Sequence, residues 1–339
     1  MKAMILRECA PIETSPLRFE EIEDPVPGKG EIRVRVEVCG ICRTDLHVIE
    51  AELPPLGRPV IPGHQIVGKV DMLGEGCKRF KVGDRVGIAW LRHTCGRCNH
   101  CVNGQENLCE SQLFTGYHAD GGYAEYAVVE EDFAYPIPDN FSPIFAAPLL
   151  CAGIIGYRAL KRSGCQPGDS IAIFGFGSSA HIVMQILNHW KCDVFVVTRG
   201  KEHQELAMSM GAKWVGAKAS EMPGKVKSAI IFAPAGNLVP DALEQLEKGG
   251  TLSLAGIYMT PIPSLDYEKH LFYEKNVHSV TANTRQDGLE LLRLAAEIPI
   301  QPHVETFPLE RANEALQALK AGTIRGTGIL LVGYNDEKL

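Results

Sequence analysis

The sequence predicts an α/β protein of two domains, one β-rich and one built on a doubly wound parallel sheet. Three observations carry that prediction. The chain has 339 residues, beyond the roughly 250–300 at which a single hydrophobic core stops growing. Its first ~150 residues are broken by Gly and Pro into short alternating runs, the signature of strands joined by turns. After about residue 152, short apolar runs alternate with segments of helical spacing, the pattern of parallel strands joined by helices.

The strands come first. "EIRVRVEVCG" (31–40) alternates polar and apolar residues with period two, and "GHQIVGKVDMLGEG" (63–76) and "KVGDRVGIAW" (81–90) repeat it between glycine turns. "PVPGKG" and "PPLGRPVIPGH" are punctuation rather than helix. Then "SIAIFGFG" (170–177) is a strand running into glycines, and "SSAHIVMQILNHW" (178–190) has helical spacing. Strand "DVFVV", helix "KEHQELAMSMGA", strand "SAIIFA", helix "LVPDALEQLEKGG" (238–250) and strand "TLSLAG" follow. Beyond residue 286 come helix "QDGLELLRLAAE" and a return through "LERANEALQALKAG" and "GILLV".

Composition narrows the function. Hydrophobic residues make up 45% and charged residues 22%, as in ordinary globular proteins. The net charge of −7, without long like-charge blocks, argues against a nucleic-acid partner, which calls for a basic face. The uncharged stretch 140–157 carries Pro143, Pro148, Gly153 and Gly156 and suits a buried turn and helix better than a membrane span. The amino terminus shows no signal pattern. A soluble, cytoplasmic protein is expected. Its eleven cysteines are expected to be reduced or metal-bound.

Gly175-Phe-Gly177-Ser-Ser-Ala180 matches G-x-G-x-x-G/A between strand and helix. The glycines permit a tight turn and close backbone approach, so that the helix amino terminus faces a pyrophosphate. The next strand ends in Thr198 and Arg199, where an acidic residue would select NAD. Without that carboxylate a 2′-phosphate is not repelled and Arg199 can pair with it, so NADP is favoured within the NAD(P) pair.

Cys95, Cys98, Cys101 and Cys109 have the spacing C-x2-C-x2-C-x7-C. Four thiolates close a zinc tetrahedron, leaving no open position, so a folding role is expected rather than chemistry. "VCGICRTDLH" (38–47), "IPGHQIVG" (61–68) and "LLCAGIIGY" (149–157) supply two thiolates and an imidazole for an open Cys2His zinc site. Spacing alone leaves Cys39 and Cys42 as alternatives.

On these motifs, in this order, the chain resembles the zinc-dependent medium-chain alcohol dehydrogenases over nearly its whole length. The signature Cys-(Arg/His)-(Thr/Ser)-Asp followed by His stands here as Cys42-Arg43-Thr44-Asp45-Leu46-His47, and the Gly-His signature as Gly63-His64. The resemblance selects Cys42, His64 and Cys151 as ligands of a catalytic zinc and assigns the four-cysteine lobe a structural one, two zinc ions per chain. It gives Thr44 and His47 a proton relay, makes Asp45 the carboxylate that orients His64, and sets Arg43 against the cofactor pyrophosphate. It implies a GroES-like catalytic domain over 1–152 and 286–339 around a Rossmann domain over 153–285, acting on a small-molecule alcohol or aldehyde as a homotetramer or homodimer. A polyol dehydrogenase and a nucleotide-binding sensor without turnover are the alternatives. Two departures stand out. Gln65 replaces the usual Glu after the ligand His, and Thr327 stands where many relatives have a pyrophosphate-binding Arg, with Arg325 close by.

Overall fold

The computed structural model describes residues 1–298, 300–324 and 326–334; Arg325 lies outside them. The chain divides into two compact units, one formed by Met1–Cys151 and the residues from Thr284 onward, the other by Ala152–Asn283. The sequence reading set the two seams one and two residues later.

The first unit is built on a seven-stranded mixed sheet. Its order is Val304–Pro308, Thr327–Leu331, Glu31–Gly40, Gln65–Leu73, Arg85–Ile88 and Ala134–Pro136, with Tyr126–Glu130 also paired to Glu31–Gly40. Every pairing is antiparallel except the first. Strand Glu31–Gly40 alternates as its sequence suggests, with Ile32, Val34, Val36 and Val38 all at 1% exposure or less. Ile32, Val34 and Val36 join Met4, Ile66, Val86 and Ile88 in the core, at roughly 1.5–3 kcal/mol of burial each. Gly40 pairs with Gln65 in register, so the residues just beyond that edge, Cys42 and His64, leave the sheet at the same end. This pairing places the site.

The second unit holds a six-stranded parallel sheet in the order Trp214–Gly216, Asp193–Val197, Ser170–Phe174, Val226–Ile231, Leu246–Leu254, Asn276–Ser279. Numbered along the chain this is 3-2-1-4-5-6, the doubly wound order, with its switch point beside the first strand. Ile171, Ala172, Ile173 and Phe174 are fully buried, as a strand covered on both faces must be. One element differs from the sequence reading. The helix expected over 238–250 ends at Glu244, and Leu246 already pairs with Val226. Gly249 and Gly250 then lie within a strand that runs to Leu254.

The helical run Pro143–Ser163 is long and apolar enough to cross a membrane, yet 67% of its most apolar window is buried inside the protein, as in a core helix. It contains one wide π turn, Leu149–Gly153, which carries Cys151. Such turns widen a helix and recur at functional positions.

Candidate metal and nucleotide sites

Cys42 is the N-cap of the short helix Arg43–Ile49. Its Sγ accepts the Thr44 N–H at 3.3 Å, and its own N–H donates to Asp45 Oδ2 at 2.8 Å. A helix amino terminus favours negative charge, so a thiolate is at home there. His64 follows Gly63, whose φ of +99° suits glycine, and a Cβ on Gly63 would also come within 2.9 Å of Cys39 Sγ. The imidazole is fully buried, with Nδ1 2.9 Å from Asp45 Oδ1. That bond turns Nε2 toward Cys42 Sγ, 3.3 Å away, and Cys151 Sγ lies 3.8 Å from Cys42 Sγ. The ligating atoms of Cys42, His64 and Cys151 all lie within 4.8 Å of one another.

The donors fit zinc. A tetrahedral ion with Zn–S about 2.3 Å and Zn–N about 2.0 Å sets sulfurs about 3.8 Å apart, and sulfur and nitrogen about 3.5 Å apart. The electrostatics agree. The hydrogen bond from Cys151, with the charge of His64 and the Thr44 side chain working against burial, holds the Cys42 thiol well below its ordinary value. The same bond and burial push Cys151 well above its own. Burial opposes a charge on His64, but Cys42 and Asp45 outweigh it and lift the imidazole to about 10. Cys42 and Asp45 thus favour positive charge between them, which suits a site for a divalent cation. Burial pushes Asp45 up, and His64 pulls it back.

Cys39, the alternative by spacing, is fully buried and its thiol faces the Gly40 carbonyl at 3.6 Å. Thr44 is buried and His47 half-buried, three positions apart on the same helix, a spacing that puts both on one face. Arg43 is exposed at the first helical position. Gln65 is wholly buried and both its amide atoms lack a partner. Thr327 is buried in the strand Thr327–Leu331.

Three neighbours of this site escaped the sequence reading. Glu52 hydrogen-bonds His47 Nδ1. Trp90 stands edge-on to His64 with ring centroids 5.1 Å apart. Phe114 stacks on Trp90 at 4.7 Å. No spacing rule links these positions; only the fold brings them together.

In the four-cysteine lobe, Sγ distances of 3.9 Å (Cys95–Cys101) and 3.5 Å (Cys98–Cys101) match the same tetrahedral spacing, and Cys109 Sγ accepts the Cys95 N–H at 3.4 Å. The Arg97 and Cys98 N–H groups draw Cys95 down to about 6, while burial and Cys98 push Cys101 up to about 11. His93, a flanking alternative ligand, is bonded to Glu130 at 2.7 Å instead. Glu106, inside the lobe and buried, grips Arg285 through Oε2 to Nη2 at 2.6 Å and Nε at 3.0 Å. That bond ties the lobe to the start of helix Arg285–Glu297.

In the second unit, Gly175 has φ +87°, and a Cβ there would press on Ala233 at 3.1 Å. Gly177 caps the twelve-residue helix Ser178–His189 without any side-chain cap, and Ala180 is buried behind it. The helix amino terminus therefore presents backbone N–H groups to an incoming anion. His181 is buried in this helix, with Nδ1 3.3 Å from the Gly177 carbonyl. Thr198 is buried and Arg199 exposed just beyond Asp193–Val197.

Residues 28–139 match the alcohol dehydrogenase GroES-like domain family, and residues 180–297 match the zinc-binding dehydrogenase family. A probable alcohol dehydrogenase of Mycobacterium tuberculosis is 45% identical over 98% of this chain and 97% of its own. An alcohol dehydrogenase of Geobacillus stearothermophilus is 37% identical over 98% of this chain and its full length. Among solved structures, a cinnamyl alcohol dehydrogenase of Sorghum bicolor superposes with a TM-score of 0.88 at 26% identity, over 100% of this chain and 99% of its own. The cobalt- and zinc-bound thermostable alcohol dehydrogenase of Pyrobaculum aerophilum gives 0.86 at 25%, over 98% and 99%. Likeness of this extent, end to end and on both units, makes the chain a member of the zinc-dependent medium-chain alcohol dehydrogenase family.

Proposed function

We propose that this alcohol dehydrogenase exchanges a hydride between a small primary or secondary alcohol, or its aldehyde or ketone, and NADP. In this reading Cys42, His64 and Cys151 hold a catalytic zinc, and Cys95, Cys98, Cys101 and Cys109 hold a structural one. The observation that carries it is the convergence of three soft donors from three segments, with no fourth protein ligand among the described residues. Three donors leave one vertex for substrate; four do not. When bound there, zinc would supply Lewis-acid polarisation of the substrate oxygen and a nicotinamide would supply the hydride chemistry.

The chain's own residues do the rest. Asp45 fixes the His64 tautomer through Nδ1, leaving Nε2 as the donor. Thr44 takes the proton of the substrate hydroxyl, and His47, on the same helix face, carries it toward solvent. Glu52 holds the His47 ring by Nδ1, which turns Nε2 the other way. Arg43 and the glycine turn at Gly175, Gly177 and Ala180 bind the pyrophosphate.

The NADP assignment draws on a cavity of about 410 Å³ lined by Arg199, Lys218, Ser220 and Asn237, with Asp241 and Glu244 on the facing helix. Arg199 has no partner among the described residues and is free to meet a 2′-phosphate. A homodimer or homotetramer is supported by the edge strand Asn276–Ser279, exposed along its length beside exposed Tyr267, Phe272 and Tyr273. Eleven cysteines without a disulfide suit the cytoplasm.

The test is a panel of alcohols and aldehydes with NADP and with NAD, on protein of measured zinc content, for the wild type and Arg199→Asp. The reading expects a higher kcat/KM with NADP and a reversal in the variant. Equal use of both cofactors by the wild type would overturn the NADP assignment. Zinc-replete protein inert toward every alcohol would overturn the rest.

A further inference from the structure

Two cysteines outside both metal sites meet in the second unit. Cys165 Sγ and Cys192 Sγ are 4.0 Å apart, and both thiols face the carbonyl of Gln166, at 3.8 and 3.4 Å. Cys165 is buried at 2% exposure, whereas Cys192 is half-buried and reachable from solvent. Each follows a left-handed backbone position, Gly164 with φ +71° and Lys191 with φ +57°, and two backbone bonds hold the segments together. The Gly168 N–H donates to Trp190 O and the Asp193 N–H to Asp169 O, each at 2.9 Å.

We propose that Cys165 and Cys192 are a reversible oxidation site that closes to a disulfide under hydrogen peroxide or a related hydroperoxide. A disulfide needs the sulfurs at about 2.05 Å, an approach of about 2 Å that side-chain rotation of two already neighbouring thiols supplies. The accessible Cys192 thiolate attacks the peroxide O–O bond, giving Cys192 sulfenic acid and hydroxide, which takes up the proton that Cys192 released. The Cys165 sulfur then displaces the sulfenic hydroxyl, which leaves with the Cys165 thiol proton as a second water. Two thiols and one peroxide become one disulfide and two waters. Burial and the neighbouring Cys192 raise the Cys165 thiol well above its ordinary value, which makes it the resolving partner rather than the first to react.

The position gives the bond a consequence. Residues 165–192 enclose strand Ser170–Phe174, the glycine turn and helix Ser178–His189. Both cysteines precede their strands, Ser170–Phe174 and Asp193–Val197, which run parallel. The crosslink therefore sits at the opposite end of the sheet from the glycine turn. It closes the loop around the nucleotide-binding unit without obstructing it, and it restricts the unfolded chain.

The experiment treats the zinc-loaded full-length protein with a modest excess of hydrogen peroxide, then maps peptides by mass spectrometry without reduction and follows thermal unfolding. The expected result is a Cys165–Cys192 crosslink 2 Da lighter than the paired thiols. It should be reversed by dithiothreitol and absent in Cys165→Ser and Cys192→Ser. Oxidised wild type should unfold several degrees higher than reduced wild type, with zinc content retained and cofactor binding within about twofold. Sulfinic acid on Cys192 with no crosslink would overturn the proposal. So would crosslinks found only among the metal-site cysteines.

Discussion

Asp45→Asn is the most informative single change at the metal centre, because the carboxylate uses both oxygens as acceptors. Oδ1 receives the His64 Nδ1–H at 2.9 Å and Oδ2 receives the Cys42 N–H at 2.8 Å, and the residue is 2% exposed. An asparagine has one acceptor oxygen. Whichever way it turns, its NH2 meets one of the two donors, and a buried donor is left without a partner. That costs about 1–3 kcal/mol. The change also removes the negative charge behind His64, and loss of such a partner weakens zinc binding by about 10–100-fold. The assay is competition for zinc against a chromophoric chelator, with chemical unfolding of the metal-loaded protein alongside. The expected outcome is an affinity lower by about one to two orders of magnitude and a lower unfolding free energy. Unchanged zinc affinity would refute the reasoning, since it would mean that His64 needs no orienting partner.

Thr44→Val should lower kcat by at least about 100-fold, the usual worth of a positioned proton acceptor, while zinc content stays the same; retained turnover would remove Thr44 from the relay. Cys98→Ser should reduce zinc from two ions to one per chain and open residues 95–109 to proteolysis, because the lobe has few apolar side chains to bury; two ions retained would contradict its assignment. Glu106→Ala removes the three-point grip on Arg285 and should destabilise the fold by roughly 2–3 kcal/mol, below a fully buried pair because the Arg285 side chain is 35% exposed; urea unfolding measures it, and no change would show that water replaces the pair.

A further outcome concerns pH. Burial, and then Arg58, hold His118 below its ordinary 6.5, and its Nδ1 accepts the Phe114 N–H at 3.2 Å. The folded state keeps the ring neutral, so the unfolded chain takes up a proton first as pH falls. This contribution to stability is whole above about 6.5 and is lost toward the lower folded pKa. Wild type should therefore lose more stability between about pH 7 and pH 5 than His118→Gln does; equal slopes would contradict the assignment.

Much of this molecule is legible in its sequence, for reasons that differ by element. Strand Glu31–Gly40 and strand Asp193–Val197 were readable to the residue, because one alternates over a half-covered face and the other is continuously apolar in a covered sheet. Helix Leu238–Glu244 was overextended because "EQLEKGG" keeps helical composition, while pairing of Leu246 with Val226 pulls the chain into the sheet. The choice between Cys39 and Cys42 was not open to spacing; the motif made it, and the fold shows Cys39 packed in the core. His64 and Cys151 come from segments whose sequences say only that a soft ligand is present. What stayed hidden are contacts between positions unrelated in sequence. Trp90 against His64, Glu106 with Arg285, and Cys165 beside Cys192 are tertiary facts. Local patterning carries no information about them.

A metal ion held by two thiolates and one imidazole, with one vertex open, is the centre of the proposed function. Anomalous diffraction from crystals of the intact protein, collected on both sides of the zinc edge, tests this most directly. The prediction is one zinc peak about 2.0–2.3 Å from Cys42 Sγ, His64 Nε2 and Cys151 Sγ, its fourth position taken by water or substrate. A second peak should lie amid Cys95, Cys98, Cys101 and Cys109. Absence of the first peak, or a fourth side chain permanently bound to it, would contradict the account.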